Sequence, residues 1–359
     1  MSQFAAKIRV LVVDDSLLFR KKLELSLNED PMITVIGSAA DPLEARQKIA
    51  ELRPDVLTLD VEMPHMNGIE FLKQLIPTNP LPVVVVSSLP LNALDALSAG
   101  AVDFVRKPQV NSPGDLQGFL HELRGKIKIA RRAKVQSALV EPRSLRGAPE
   151  QRPPRQQAPL GGKGGKFVVC IGASTGGTEA IIQVVKDLPA NTPGVLIVQH
   201  MPANFTNLYA QRLDKICQMS AKEAEDNDRV LTGRILVAAG DYHLTLRRDV
   251  LGYYIRSQKG EKVSGHCPSV DVMFHSAAEA AGSNCIGVIL TGMGADGARG
   301  ITQMRQAGAY TIGQNEETCV VYGMPMEAWR RGGIARQLPL RQIGPEIIFQ
   351  LNRVTAAGG

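Results

Sequence analysis

Aromatic residues make up only 4% of the chain, with one tryptophan among 359 residues. Stacking platforms for single-stranded nucleic acid are built from such side chains, so that class of function is disfavoured at once. No apolar run approaches the roughly 20 residues that cross a bilayer. The longest are of the kind "VVVV" at Val83–Val86. The start "MSQFAAKIRVLVVDDS" has no apolar stretch ending in a small-residue cleavage site, so neither a secretory signal nor membrane insertion is expected. The five cysteines, Cys170, Cys217, Cys267, Cys285 and Cys319, are odd in number and never spaced as C-x-x-C. That argues for reduced thiols in a cytoplasmic protein and against a zinc site.

Positive charge is present but concentrated. The whole chain carries a formal +6, and Arg131–Lys166 holds nine Lys/Arg against two Asp/Glu. The remainder is slightly acidic, so a nucleic-acid-binding face is not expected. The same segment contains "EPRSLRGAPEQRPPRQQAPLGGKGGK", rich in proline, glutamine and glycine and without apolar periodicity. Such a composition buries too little surface to offset its ordering entropy. Residues 131–165 are read as a flexible basic linker between a domain over 1–130 and another over 166–359. A chain of 359 residues is long enough for two cores.

The first segment alternates strand and helix patterns five times. "IRVLVV", "MITVIGSA", "DVLTLD", "PVVVVSS" and "AVDFVRKP" are short apolar strands, and the stretches between them carry apolar residues at helical spacing. This alternation predicts a parallel five-stranded sheet covered on both faces. The second segment repeats it with "KFVVCIG", "GVLIVQH", "GRILVAAG", "NCIGVILTG" and "AYTIGQ" as strands. "NFTNLYAQRLDKI", "SVDVMFHSAAEAA" and "ADGARGITQMRQAG" are helices, and "YHLTLRRDVLGYYIRS" is an antiparallel hairpin. Both domains are α/β, and ligands belong at the carboxyl ends of their parallel strands.

The strand ends of the first domain are chemically unusual. Asp14 and Asp15 follow the first strand and Asp60 ends the third; Ser87 and Ser88 follow the fourth and Lys107 the fifth. Each alone also reads as a cap or turn residue. Together they bring three carboxylates, a hydroxyl and an ammonium to one end of a sheet. Clustered carboxylates repel and call for a hard cation; an all-oxygen set suits Mg²⁺, and a nearby lysine suits a phosphoryl group. "LVVDDS", "LTLDVEMPHMNG", "VVVVSS" and "DFVRKP" resemble the receiver domain of bacterial response regulators over about Ile8 to Ala130. The resemblance implies a flavodoxin-like fold with Asp60 as phospho-acceptor. It implies Asp14, Asp15, Asp60 and the Glu62 backbone carbonyl around Mg²⁺, Ser87 as the hydroxyl sensing the phosphoryl oxygens, and Lys107 as their ion partner. Phe104 stands where that family carries a switch aromatic, and reads equally well as a core side chain. Ten residues separate "SSL" from "GAVDFV", fewer than the resemblance leads one to expect, which predicts a clipped fourth helix.

In the second domain, "IGASTGGTEA" (Ile171–Ala180) puts a serine on a glycine-rich strand-to-helix turn. Gly172–Gly176 fits the G-x-S-x-G form of a nucleophile elbow, a form that phosphate-binding and plain reversing turns also satisfy. A nucleophilic serine needs a base, and the base an orienting acid. His200 ends "VLIVQ" and Asp296 lies in "TGMGADG" beyond "IGVIL", at carboxyl strand ends like Ser174. Asp241 is a rival acid, while His243 and His266 are placed to line a cleft. The chain order Ser, His, Asp differs from the Ser, Asp/Glu, His order of α/β-hydrolases, which argues against a plain lipase-like fold.

"IGASTGGTEA", "VQHMP", "GHCPSVDVMF" and "LTGMGADGARG" resemble the catalytic domain of chemotaxis receptor methylesterases (CheB-like proteins) over about Phe167 to Asn352. The receiver–linker–esterase order is similar too. The resemblance implies a doubly wound α/β esterase domain with Ser174 as nucleophile, His200 as general acid/base, Asp296 as its orienter, and no cofactor. It implies glutamate methyl esters on methyl-accepting chemoreceptors as substrate, with glutamine deamidation through the same acyl-enzyme. A chemotaxis histidine kinase would donate the phosphoryl group. Thr175 and Met293 are candidates to hold the oxyanion through their N–H groups, and His266 and Arg256 to bind substrate or product carboxylates. A switch module tethered to an enzyme predicts that phosphorylation at Asp60 relieves a block on the esterase. Two other readings stay open: a non-catalytic phospho-switch binding a signalling partner, and a DNA-binding response regulator. The second is disfavoured, because no helix-turn-helix with a basic recognition helix is visible.

Overall fold

The computed structural model describes residues 6–63, 66–108, 113–135 and 167–357. Most of the expected linker, 131–165, lies outside them. The chain divides into two compact units, Met1–Leu145 and Arg146–Gly359. No helix among the described residues is long and apolar enough to cross a membrane.

The first unit runs β1 (Ile8–Val13), α1 (Leu17–Asn28), β2 (Ile33–Ala39), α2 (Pro42–Leu52), β3 (Val56–Asp60), α3 (Gly68–Thr78), β4 (Val83–Ser87), α4 (Pro90–Ser98), β5 (Asp103–Arg106) and α5 (Pro113–Ala130). Its sheet is parallel throughout, in the order β2-β1-β3-β4-β5. Every residue of β3 and β4 is buried, as strands covered on both faces require. Helix starts are set by local chemistry: Ser16, Asp41 and Asn67 each accept a hydrogen bond from a first-turn N–H. α4, the predicted short helix, has nine residues and takes no capping bond from the side chain of Leu89 before it.

The second unit runs β6 (Val168–Ala173), α6 (Gly177–Val185), β7 (Gly194–Gln199), α7 (Phe205–Ile216), β8 (Ser220–Glu223), β9 (Arg234–Val237), β10 (Tyr242–Asp249), β11 (Gly252–Lys259), α8 (Val270–Ala281), β12 (Cys285–Ile289), α9 (Ala298–Gln306), β13 (Tyr310–Gln314), α10 (Met324–Arg330), β14 (Arg336–Leu338) and α11 (Leu340–Ala357). Seven strands form a parallel sheet in the order β14-β13-β12-β6-β7-β9-β8, and β10 and β11 pair apart as the expected antiparallel hairpin. Strand order reverses at β6: the chain moves outward through β7, then returns to lay β12 on the other side. The crevice at that reversal is where a doubly wound sheet receives ligands.

Helix α8 packs over this crevice. Its Phe274 is fully buried, and close approach is possible because two neighbours lack side chains. A Cβ on Gly172 would lie 3.2 Å from Phe274 Cζ, and one on Gly300 would lie 2.6 Å from Phe274 Cβ. Truncating Phe274 removes a fully desolvated ring from the layer that seats α8. Phe274→Ala is expected to destabilise the folded chain by about 3–5 kcal/mol, read as a lowered urea midpoint with little change in slope.

Candidate active site

Ser174, His200 and Asp296 come from three neighbouring strands. Ser174 follows β6, His200 follows β7 and Asp296 sits in the loop after β12. In the sheet these strands stand side by side as β12-β6-β7. Parallel strands end at one edge, so residues far apart in sequence meet there.

The candidate base and acid are joined. His200 Nε2 lies 2.8 Å from Asp296 Oδ2, with the side chains 7% and 1% exposed. Asp241, the rival acid, is not the partner. The carboxylate of Asp296 is also gripped by the start of α8: Oδ2 accepts from Val270 N at 2.8 Å, and Oδ1 from Asp271 N at 3.0 Å and Ser269 Oγ at 2.7 Å. Burial pushes the Asp296 pKa up, but the bonds from His200, Asp271 and Ser269 outweigh it and hold the acid below its ordinary value. The helix dipole favours the same charge.

The ring of His200 is turned so that Nε2 faces the acid. Nδ1 is buried and has no partner among the described residues, so it is the nitrogen left for a nucleophile. Ser174 Oγ makes no hydrogen bond among the described residues, as in many unliganded sites where such bonds close only on the substrate. The serine is partly exposed, and its backbone N–H donates to Thr291 O at 3.0 Å. Gly176, at φ +75°, and Gly177 carry the chain from Ser174 into α6.

Met293 and His266 both lie close to these residues. Met293 follows Gly292, and a Cβ on Gly292 would lie 2.7 Å from Ser174 Cβ. His266 stacks flat on His200, with ring centroids 3.6 Å apart and planes 9° from parallel. Burial, then the charge of a protonated His200, push the His266 pKa down to about 4. A tight turn presents this ring: Val263 and His266 bond each other's backbones, with Ser264 and Gly265 at φ +53° and +85° between them. Arg256 is engaged elsewhere: on β11, its Nε bonds Asp226 Oδ1 at 2.8 Å.

In the first unit the acidic cluster assembles at the carboxyl edge. Carboxylate oxygens of Asp14, Asp15 and Asp60 lie within 4.8 Å of one another. Lys107 Nζ bridges two of them, 2.8 Å from Asp14 Oδ2 and 2.7 Å from Asp60 Oδ2. Burial raises Asp14 to about 6 against the pull of Lys107, and nearby Asp60 adds to the rise. Burial works against the charge on Lys107, but the two aspartates outweigh it and raise its pKa. Phe104 is buried, with Lys126 Nζ 4.9 Å from its ring centroid.

Glu62 and Ser87 hold an arrangement that sequence alone did not suggest. The Glu62 side chain accepts from Ser87 Oγ at 2.8 Å, from the N–H groups of Ser88 and Leu89 at 3.3 Å, and from Asn92 Nδ2 at 3.4 Å. Ser87 therefore directs its hydroxyl to a carboxylate two residues beyond Asp60, and Glu62 serves the start of α4 that Leu89 leaves uncapped.

The family model for CheB methylesterase matches residues 169–347, and that for the response regulator receiver domain matches residues 10–117. The chain is 49% identical, over 97% of its length and 99% of the relative's, to protein-glutamate methylesterase/protein-glutamine glutaminase 2 of Syntrophomonas wolfei. It is 49% identical to the protein-glutamate methylesterase/protein-glutamine glutaminase of Syntrophotalea carbinolica, over 96% of this chain and 98% of that one. The crystal structure of the Thermotoga maritima CheB methylesterase catalytic domain is similar with a TM-score of 0.50 and 38% identity, covering 51% of this chain and 98% of that chain. With relatives matched from end to end and both component domains recognised, the chain belongs to the CheB methylesterase family with a response regulator receiver domain.

Proposed function

We propose that the chain is a phosphorylation-activated serine hydrolase that cleaves glutamate methyl esters on chemoreceptors and deamidates receptor glutamines. The reading assigns the switch to residues 1–130, a tether to 131–165 and the reaction to 166–359. The observation that carries it is the buried His200–Asp296 pair beside a serine on a strand-to-helix turn. The relatives matched from end to end, protein-glutamate methylesterase/protein-glutamine glutaminases, supply the substrate class.

In this mechanism Ser174 Oγ attacks the ester carbonyl while His200 takes its proton at Nδ1. Asp296 orients the ring through Nε2 and stabilises the imidazolium. The N–H groups of Thr175 and Met293 hold the oxyanion, aided by the N-terminus of α6. His200 returns the proton to the departing ester oxygen, which leaves as methanol, or to the departing nitrogen, which leaves as ammonia when glutamine is the substrate. A water deprotonated by His200 then releases glutamate from the acyl-enzyme. His266, neutral on the face of His200, adds no competing charge.

For the switch, a histidine kinase supplies the phosphoryl group to Asp60. The oxygen-only set of Asp14, Asp15 and Asp60 fits Mg²⁺. Bound there, the ion neutralises phosphoryl oxygens and carboxylates that repel one another. Lys107, already between Asp14 and Asp60, is placed to pair with the phosphoryl oxygens.

Three outcomes test this reading. Methanol release from methylated receptor is expected to fall by at least about a thousandfold in Ser174→Ala; equal rates in variant and wild type would sink the esterase reading. A small acyl-phosphate donor should raise the wild-type rate. That rise should vanish in Asp60→Ala or when EDTA removes Mg²⁺, whereas an undiminished rise in both would detach activation from this cluster. The third concerns His266, whose pKa is lower folded, at about 4, than its ordinary 6.5. The unfolded chain then takes up the proton first as pH falls. Stability from this group is complete above pH 6.5 and is lost progressively toward pH 4. His266→Phe keeps a flat ring on His200, so its urea midpoint should decline less than that of wild type across this window. Parallel declines would refute the assignment.

A further inference from the structure

The last register of the β6–β7 ladder pairs Ala173 with Gln199. Ser174 and His200 are the next residues; the His200 N–H still donates to Ala173 O at 3.1 Å, while the carbonyls of both residues lie past the last ladder pair. The side chain of Gln199 folds across this gap. It is buried, and its Nε2 donates to Ser174 O at 2.9 Å and to His200 O at 3.1 Å. Both amide protons are thus spent on the carbonyls of the two proposed reacting residues. Gly177 N donates to the same Ser174 carbonyl at 2.7 Å.

The other end of this amide is poorly served. Gln199 Oε1 is buried without a partner among the described residues, packed where a Cβ on Gly177 would collide with it. A buried unpaired acceptor opposes folding, and an apolar side chain of similar length would avoid that cost. A residue kept only to fill space here would not be an amide, so the two donated bonds are the feature to explain.

Ser174 and Thr175 share one trans peptide. In that planar unit the Ser174 carbonyl and the Thr175 N–H point in opposite directions. Holding the carbonyl therefore sets the direction of the N–H. We propose that Gln199 is a positioning residue: it fixes the Ser174–Thr175 peptide plane so that the Thr175 N–H meets the oxyanion, and it holds His200 at a set distance from Ser174. The inference rests on the serine-hydrolase reading above. It adds a residue that never touches the substrate and acts through two carbonyls.

The test uses the full chain with methylated receptor and a small acyl-phosphate donor. Gln199→Met keeps the length and loses both donors. Its kcat is expected to fall roughly ten- to a hundredfold, short of the loss for a deleted oxyanion donor, with KM within about twofold. The midpoint of the pH–rate curve should stay in place while its plateau drops, because His200 and Asp296 are untouched. Thermal stability should change little, since losing the unpaired Gln199 oxygen offsets leaving the two carbonyls without this donor. Gln199→Asn, which keeps the amide but draws it back by one methylene, is the second variant, in case Gln199→Met does not fold; it should show the same loss. Rates are expressed per serine titrated to completion with a fluorophosphonate, so that misfolded protein does not count. A kcat within about twofold of wild type, or a fall explained wholly by fewer titratable serines, overturns the inference. If Ser174→Ala is inactive beside such a result, the hydrolase reading survives; an active Ser174→Ala overturns both.

Discussion

Burial as deep as that of Asp296 favours the neutral acid, yet its pKa is held below the ordinary carboxylate value. Its ionisation depends on three donors from the first turn of α8 and its N-cap, with His200 as the fourth partner. Removed from water without such partners, a carboxylate costs several kcal/mol and neutralises instead. A neutral acid would neither orient the imidazole nor stabilise its charged form. The site's electrostatics therefore rest on where α8 begins. That position rests in turn on Gly172 and Gly300, where any side chain would push Val270 or Phe274 away. Glycines that look like loop punctuation in sequence set the field at His200.

The sheet explains how this works with the chain order Ser, His, Asp. β6 is laid down at the centre, β7 on one side and, much later, β12 on the other. Each strand delivers one residue to the same edge, so sequence order follows strand placement and not the order of roles. The first unit obeys the same rule, with Asp14, Asp60, Ser87 and Lys107 at the ends of β1, β3, β4 and β5. The two units solve the problem of buried negative charge differently. One sets Lys107 between two aspartates and offers oxygens to a cation; the other uses a helix end.

Much of this was legible in the sequence. Apolar strands alternating with amphipathic helices gave both sheets, and "YHLTLRRDVLGYYIRS" gave the hairpin. β8 ("SAKE") and β14 ("RQL") escaped because they are edge strands with no apolar run, and half-covered strands need none. α10 and α11 escaped for different reasons: α10 is only seven residues long with Pro325 in its first turn, and α11, whose Leu340, Ile343, Ile347 and Leu351 keep helical spacing, carries Pro345 inside it, which reads as a helix breaker. Ser174, His200 and Asp296 were visible as polar residues at strand ends. Gln199 stands in "VQHMP", and nothing in a sequence tells an amide that grips two carbonyls from one facing water. Ser269 and Asp271 were hidden for a similar reason: what matters at Asp296 is mostly backbone N–H, which every residue has. Arg256 drew attention as a cation in the right domain, and Asp226 already holds it.

Glu62 shows how one side chain changes the meaning of a strand-end motif. Its backbone was expected near a cation, yet its carboxylate reaches across to Ser87, Ser88, Leu89 and Asn92. Hydrogen bonds to a charged group are stronger than neutral ones, about 1.5–3 kcal/mol each against about 1. In the proposed switch, a phosphoryl group on Asp60 would have to outbid a carboxylate for the Ser87 hydroxyl, not a water. Once Ser87 turns away, the bonds left on Glu62 all come from the entry to α4. That helix has nine residues, about two and a half turns, so few internal bonds resist a change at its first turn. The short helix and the acidic latch act on the same segment. In the proposed switch, an exchange at Ser87 would be coupled to the helix it precedes, through one side chain two residues from Asp60.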